Sequence, residues 1–165
     1  MWLTISALLL FQLAQSNPIC PDGYIFEKNF NKCYKFVNES QDWISAEEYC
    51  IFFGGHLAAV HNAFENTYLA SMRQPNQNLW IGMNLLMKRG ASWTNGDKVD
   101  YTYWPSGFAP EWPDYLPCYG ISDIGWQKAL CDLKQPFVCQ TLPYSYSDAC
   151  QSSQLITTSG KATDK

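Results

Sequence analysis

The sequence predicts an α+β chain on three observations. Two stretches in the first half carry apolar residues at helical spacing, and short strand patterns precede, separate and follow them. From Val99 to Pro117 runs a long loop region, dense in proline, glycine and aromatics and with little periodicity. At 165 residues the chain suits one domain with a real core.

Residues 1–16 carry no charged side chain. Leu3 to Leu13 form an apolar core, and Ala14-Gln15-Ser16 puts small residues where a peptidase would cut. This reads as a secretory signal peptide, too short for the roughly 20 apolar residues of a membrane span. No later stretch is apolar enough to cross a bilayer, so the expected product is secreted and extracellular. The expected organisation is a signal peptide over 1–16, a domain over 17–140 and a flexible Ser/Thr-rich tail over 141–165.

Cys20-Pro21-Asp22-Gly23-Tyr24 leads into Lys32-Cys33-Tyr34-Lys35-Phe36, whose alternation suggests a hairpin. Trp43, Ala46, Tyr49, Cys50 and Phe53 then repeat at helical spacing until Gly54-Gly55, with Ser40 or Asp42 as cap. His56 to Val60 reads as a short buried strand. Asn62 followed by Glu65 has the form of a capping box, after which Phe64, Tyr68, Leu69 and Met72 supply an apolar stripe ended by Pro75. Leu79 to Met83 is a buried-strand pattern, and Asn95-Gly96 signals a hairpin turn. Tyr119 to Ser122 and Phe137 to Gln140 complete the strands.

The net charge is −4 and the lysines are scattered, which gives no footprint for nucleic acid. In a secreted chain the 7 cysteines are disulfide candidates. Spacing does not assign their partners, and an odd number leaves one over. No two stand in a CxxC pattern, which argues against zinc. There is no GxSxG, and His56 and His61 lack the context of a zinc helix, so both read as structural and no enzyme is expected. Asn38-Glu39-Ser40 is a glycosylation sequon.

Several landmarks agree in order and spacing. Trp43 and Ala46 precede Cys50, then follow Gly55-His56-Leu57 and Trp80-Ile81-Gly82; Trp126 stands shortly before Cys131, and Phe137-Val138-Cys139 closes the series. From Cys20 to about Gln140 these residues resemble a C-type lectin-like domain of the long, three-disulfide form. The resemblance implies two helices packed on small antiparallel sheets with a long irregular loop region. It also implies disulfides Cys20–Cys33, Cys50–Cys139 and Cys118–Cys131. Cys150 is then left over in the tail, either bridging two chains into a covalent dimer or remaining a free or capped thiol.

Sugar-binding members of that family hold calcium through a Glu-Pro-Asn or Gln-Pro-Asp triplet, a further glutamate and an Asn–Asp pair. Calcium takes six to eight oxygens, several of them anionic. Here the triplet position measured from Trp104 holds Phe108-Ala109-Pro110, and a one-residue shift gives Ala109-Pro110-Glu111. Trp112-Pro113-Asp114 lies too close to Cys118, Leu116 takes the glutamate position, and Gln127-Lys128 stands at the Asn–Asp pair. The resemblance therefore implies carbohydrate recognition, often in innate surveillance of glycans, while the residues argue against the usual calcium site. No metal and no cofactor are expected. Lys128 either fills the vacated cage beside Glu111 or Asp114 or is solvated. Phe108, Trp112 and Tyr115 either present rings to a ligand or cover the loop's own interior. With Glu111, Asp114, Gln127 and Lys128 they form the expected ligand-binding set. The expected partner is a glycan or, alternatively, an extracellular protein bound without calcium.

Overall fold

The computed structural model describes residues 18–86, 90–105 and 117–144. The chain divides into two compact units, residues 20–142 and a unit made from the two chain ends. Within the second, Ile19 and Tyr144 exchange a pair of backbone hydrogen bonds of 2.9 Å. The remaining architecture belongs to the first.

β1 (Ile25–Glu27) and β2 (Lys32–Gln41) form the expected hairpin, with Ile25 opposite Tyr34. α1 (Trp43–Phe52) starts at Asp42, not Ser40, which lies inside β2. The Asp42 carboxylate accepts from Ser45 N at 2.9 Å and from Ser45 Oγ at 2.8 Å, satisfying a backbone donor that the first helical turn leaves open. Trp43, Ala46 and Cys50 form its buried stripe.

β3 (His56–Leu57) is shorter than the apolar run that announced it. Ala58, Ala59 and Val60 are fully buried, but their hydrogen bonds leave the strand ladder. Ala58 N donates to Val138 O, Ala59 N donates to the Gln140 side chain, and Ala58 O accepts from Gly82 N.

α2 (Ala63–Ala70) is capped by Asn62, whose Oδ1 accepts from Glu65 N at 2.9 Å. Its inward face differs from the expected stripe. Glu65, Asn66 and Leu69 are buried, and Phe64 is 82% exposed. The cause is Glu65. Its carboxylate takes Lys32 Nζ at 2.7 Å, the Tyr34 hydroxyl, and His61 N at 2.8 Å. Turning that residue inward turns its neighbour Phe64 out.

β4 (Leu79–Asn84), β5 (Ser92–Trp93), β6 (Cys118–Ser122), β7 (Gly125–Ala129) and β8 (Gln135–Thr141) complete the fold. The strands join in the order β1-β2-β8-β4-β6-β7, with β3 on β8 and β5 on β4. All pairings are antiparallel except β4 with β8, which meet in parallel at Trp80 and Phe137. That contact makes one connected sheet where separate small antiparallel sheets were expected. The Asn95–Gly96 turn forms, with Gly96 N bonded to Trp93 O at 3.1 Å, but no strand follows it and the expected hairpin is absent. β7 was not anticipated, because Gly-Trp-Gln-Lys-Ala shows no alternation of apolar and polar residues.

The three disulfides are Cys20–Cys33, Cys50–Cys139 and Cys118–Cys131, with Cα separations of 5.7, 5.3 and 5.2 Å. Two buried indoles are satisfied by backbone: Trp43 Nε1 donates to Ile81 O at 2.9 Å and Trp80 Nε1 to Gln41 O at 3.1 Å. Gly82 completes the Trp-Ile-Gly landmark for a steric reason. A Cβ there would lie 2.7 Å from Leu57 O and from Thr94 Oγ1.

Candidate ligand-binding site

The two described members of the expected ligand set lie on β7. In its ladder with β6, Ile121 faces Trp126, Gly120 faces Gln127 and Tyr119 faces Lys128. Trp126 is buried, and Gln127 and Lys128 are half-buried. Several contacts fix Trp126. Its Nε1 donates to Asn66 Oδ1 of α2 at 2.7 Å, and its backbone N donates to Tyr103 O at 2.8 Å. Its ring meets Trp93, Trp104 and Tyr101 edge-on at 5.5, 5.1 and 5.8 Å. Gly125 permits this close packing: its φ is +127°, and a Cβ would stand 2.8 Å from Tyr103 O. The Cys118–Cys131 bridge ties the ends of the two strands. Positions 127 and 128 therefore follow a residue held in one place.

Segment 101–105 packs on this anchor. Trp104 is half-buried against Trp126 and Tyr119, and Tyr103 is 49% exposed. Phe108, Glu111, Trp112, Asp114 and Tyr115 lie outside the described residues, as do Cys150 and residues 1–16. Asn38 is exposed on β2, in the stretch where its pairing with β8 shifts register.

The donor set on β7 does not fit calcium. Gln127 offers one neutral amide oxygen, and the Lys128 ammonium repels a divalent cation where the resemblance places an acid. Among the described residues no group of three or more His, Cys, Asp or Glu could hold a metal ion.

One polar cluster at the foot of the loop region escaped the sequence reading. His61 Nδ1 stands 2.8 Å from Asp100 Oδ1, and its Nε2 stands 3.0 Å from Asp97 Oδ2. The hydrogen bond from His61 holds the Asp100 carboxyl below the usual range. These partners are 36 and 39 residues away in sequence, and no local motif announces them. His56 pairs with Glu47 Oε1 at 2.6 Å, and Glu47 Oε2 accepts from Leu57 N. Both histidines thus hold structure together.

The fold and its disulfides define a disulfide-braced α+β domain, and comparison with known proteins places it. The family model described as Lectin C-type domain matches residues 39–141. The chain belongs to the C-type lectin domain family. It is 33% identical over 127 residues to the galactose-specific lectin nattectin of Thalassophryne nattereri, covering 73% of this chain and 79% of that one. A lectin of Pleurodeles waltl is 30% identical over 138 residues, covering 77% and 79%. Among solved structures, a calcium-independent type II antifreeze protein superposes with a TM-score of 0.69 at 25% identity, covering 79% of this chain and 99% of that one. The C-type carbohydrate-recognition domain of cow CD23, solved with an oligosaccharide, gives a TM-score of 0.66 at 25% identity, covering 76% and 98%.

Proposed function

We propose that this is a secreted glycan-recognition protein that works without calcium at the family's usual site. The observation that carries the reading is Lys128, set two residues past the anchored Trp126 and bearing a positive charge where an acidic ligand is needed. A galactose-specific relative supports glycans as the ligand class, and the calcium-independent antifreeze protein supports use of this fold without the ion. Sugar faces would stack on Phe108, Trp112 and Tyr115, with Glu111, Asp114 and Gln127 accepting hydroxyl protons and Lys128 donating.

The second reading is recognition of an extracellular protein through the same loop. The aromatic density of residues 101–115 favours it, since buried aromatics anchor protein interfaces. In either case the product carries a glycan on Asn38 and pairs through Cys150 into a covalent dimer. A role in innate surveillance follows from the glycan reading.

The test is a broad glycan array probed in calcium and in EDTA, with Trp112→Ala alongside. Binding indifferent to EDTA and lost in the variant supports the calcium-free reading. Binding abolished by EDTA overturns it. Silence in both conditions favours the protein ligand.

A further inference from the structure

A second surface carries recognition chemistry, on elements other than β7. The turn between β1 and β2 and the outer face of α2 enclose an open groove of about 760 Å³. We propose that this groove is a calcium-free glycan subsite that takes a neutral pyranose; the assignment rests on the glycan reading above.

Three rings line the groove. Phe64 is 82% exposed, and Tyr68 follows one helical turn later on the same side of α2. Phe30 approaches from the hairpin turn, its centroid 5.8 Å from that of Tyr68. Phe30 and Tyr68 are backed by the buried Tyr34, at 6.4 and 5.4 Å, which Glu65 holds. Two of the rings are therefore positioned before any ligand arrives. Phe64 makes no ring contact among the described residues, and its apolar ring is left in water.

The polar groups complement hydroxyls. Glu27 Oε1 accepts from Asn29 N at 3.0 Å and from Asn29 Nδ2 at 2.7 Å, which leaves its other oxygen to accept from a ligand. Asn62 commits its Oδ1 to capping α2, which leaves its amide N–H groups to donate. A sugar hydroxyl uses both roles, and the apolar face of the ring lies on an aromatic ledge.

The lining also discriminates. Among the described residues no basic side chain lines the groove, which disfavours sulfated, phosphorylated or sialylated ligands. A caged ammonium would need rings closing around it, whereas Phe64 stands apart and the groove is open. An uncharged, hydroxyl-bearing ring with one apolar face fits best.

The test uses the full secreted chain on an array of neutral glycans in EDTA, comparing wild type, Phe64→Ala and Trp112→Ala. Phe64 is exposed at a helical position that tolerates alanine, so the variant keeps the wild-type circular dichroism. Phe64→Ala is expected to weaken binding about tenfold. The best array hit should also shift the Asn62 side-chain amide in the NMR spectrum of the wild type. Binding that survives Phe64→Ala and disappears in Trp112→Ala overturns the groove and leaves glycan recognition standing. An Asn62 shift produced by choline chloride and by no sugar overturns the ligand class. Binding to no glycan overturns the subsite together with the reading on which it rests.

Discussion

Lys128 stands directly opposite Tyr119 in the β6–β7 ladder, while Gln127 stands opposite Gly120. Side chains alternate along a strand, so a slip of one residue would carry Trp126 out of the core and break its bond to Asn66. The positive charge at position 128 is thus a fixed property of the fold. It follows from the same packing that holds the loop segment in place.

The anchor has a measurable strength. Asn66→Ala leaves the Trp126 indole N–H buried without its acceptor and is expected to cost about 1–3 kcal/mol. Urea denaturation followed by tryptophan fluorescence measures it. An unchanged midpoint would show that the bond does not hold β7 to α2.

Glu65 is 1% exposed and paired with Lys32. Glu65→Ala strands that ammonium and the Tyr34 hydroxyl, and is expected to cost about 3 kcal/mol or more. The double variant Glu65→Leu with Lys32→Met should recover much of the loss, because no charge remains buried. Chemical denaturation of both variants provides the comparison.

The α1 cap predicts an acid response. Hydrogen bonds from Ser45 hold the Asp42 carboxyl below its ordinary value of 3.8. A carboxyl depressed in the folded state contributes stability above its unfolded pKa and loses it as pH falls through the folded value. The loss therefore lies below about pH 4. Asp42→Asn keeps the cap and should flatten this part of the stability profile, and Asp42→Ala should cost about 1 kcal/mol at neutral pH. Thermal melts from neutral pH to about pH 3 cover that window.

Asn38 is exposed, and secreted protein should lose mass on treatment with a glycosidase specific for N-linked glycans. Asn38→Gln should remove the shift. On a non-reducing gel, wild type should run as a dimer and Cys150→Ser as a monomer.

The disulfide frame and the buried tryptophans were legible because they are landmarks in sequence order. Both helix starts were legible because Asp42 and Asn62 act through residues three positions away. What escaped depended on distant partners. Phe64 looked like part of a core stripe until Glu65, drawn inward by Lys32 and Tyr34, turned the helix the other way. β7 lacks apolar alternation, and its pairing with β6 defines it. Gln127 and Lys128 stand between the landmarks Trp126 and Cys131, and the burial of Trp126 is what the structure adds. The His61 clamp left no sequence signal because its partners are 36 and 39 residues away, and the groove beside Phe64 joins α2 to the β1–β2 turn, which no sequence pattern links.

The most direct measurement is a calcium titration of the purified protein, followed by calorimetry and by the backbone amide signals of Gln127 and Lys128. The account predicts no saturable heat and no movement of either amide. Stoichiometric calcium binding that shifts both signals would contradict it and restore a working calcium cage at β7.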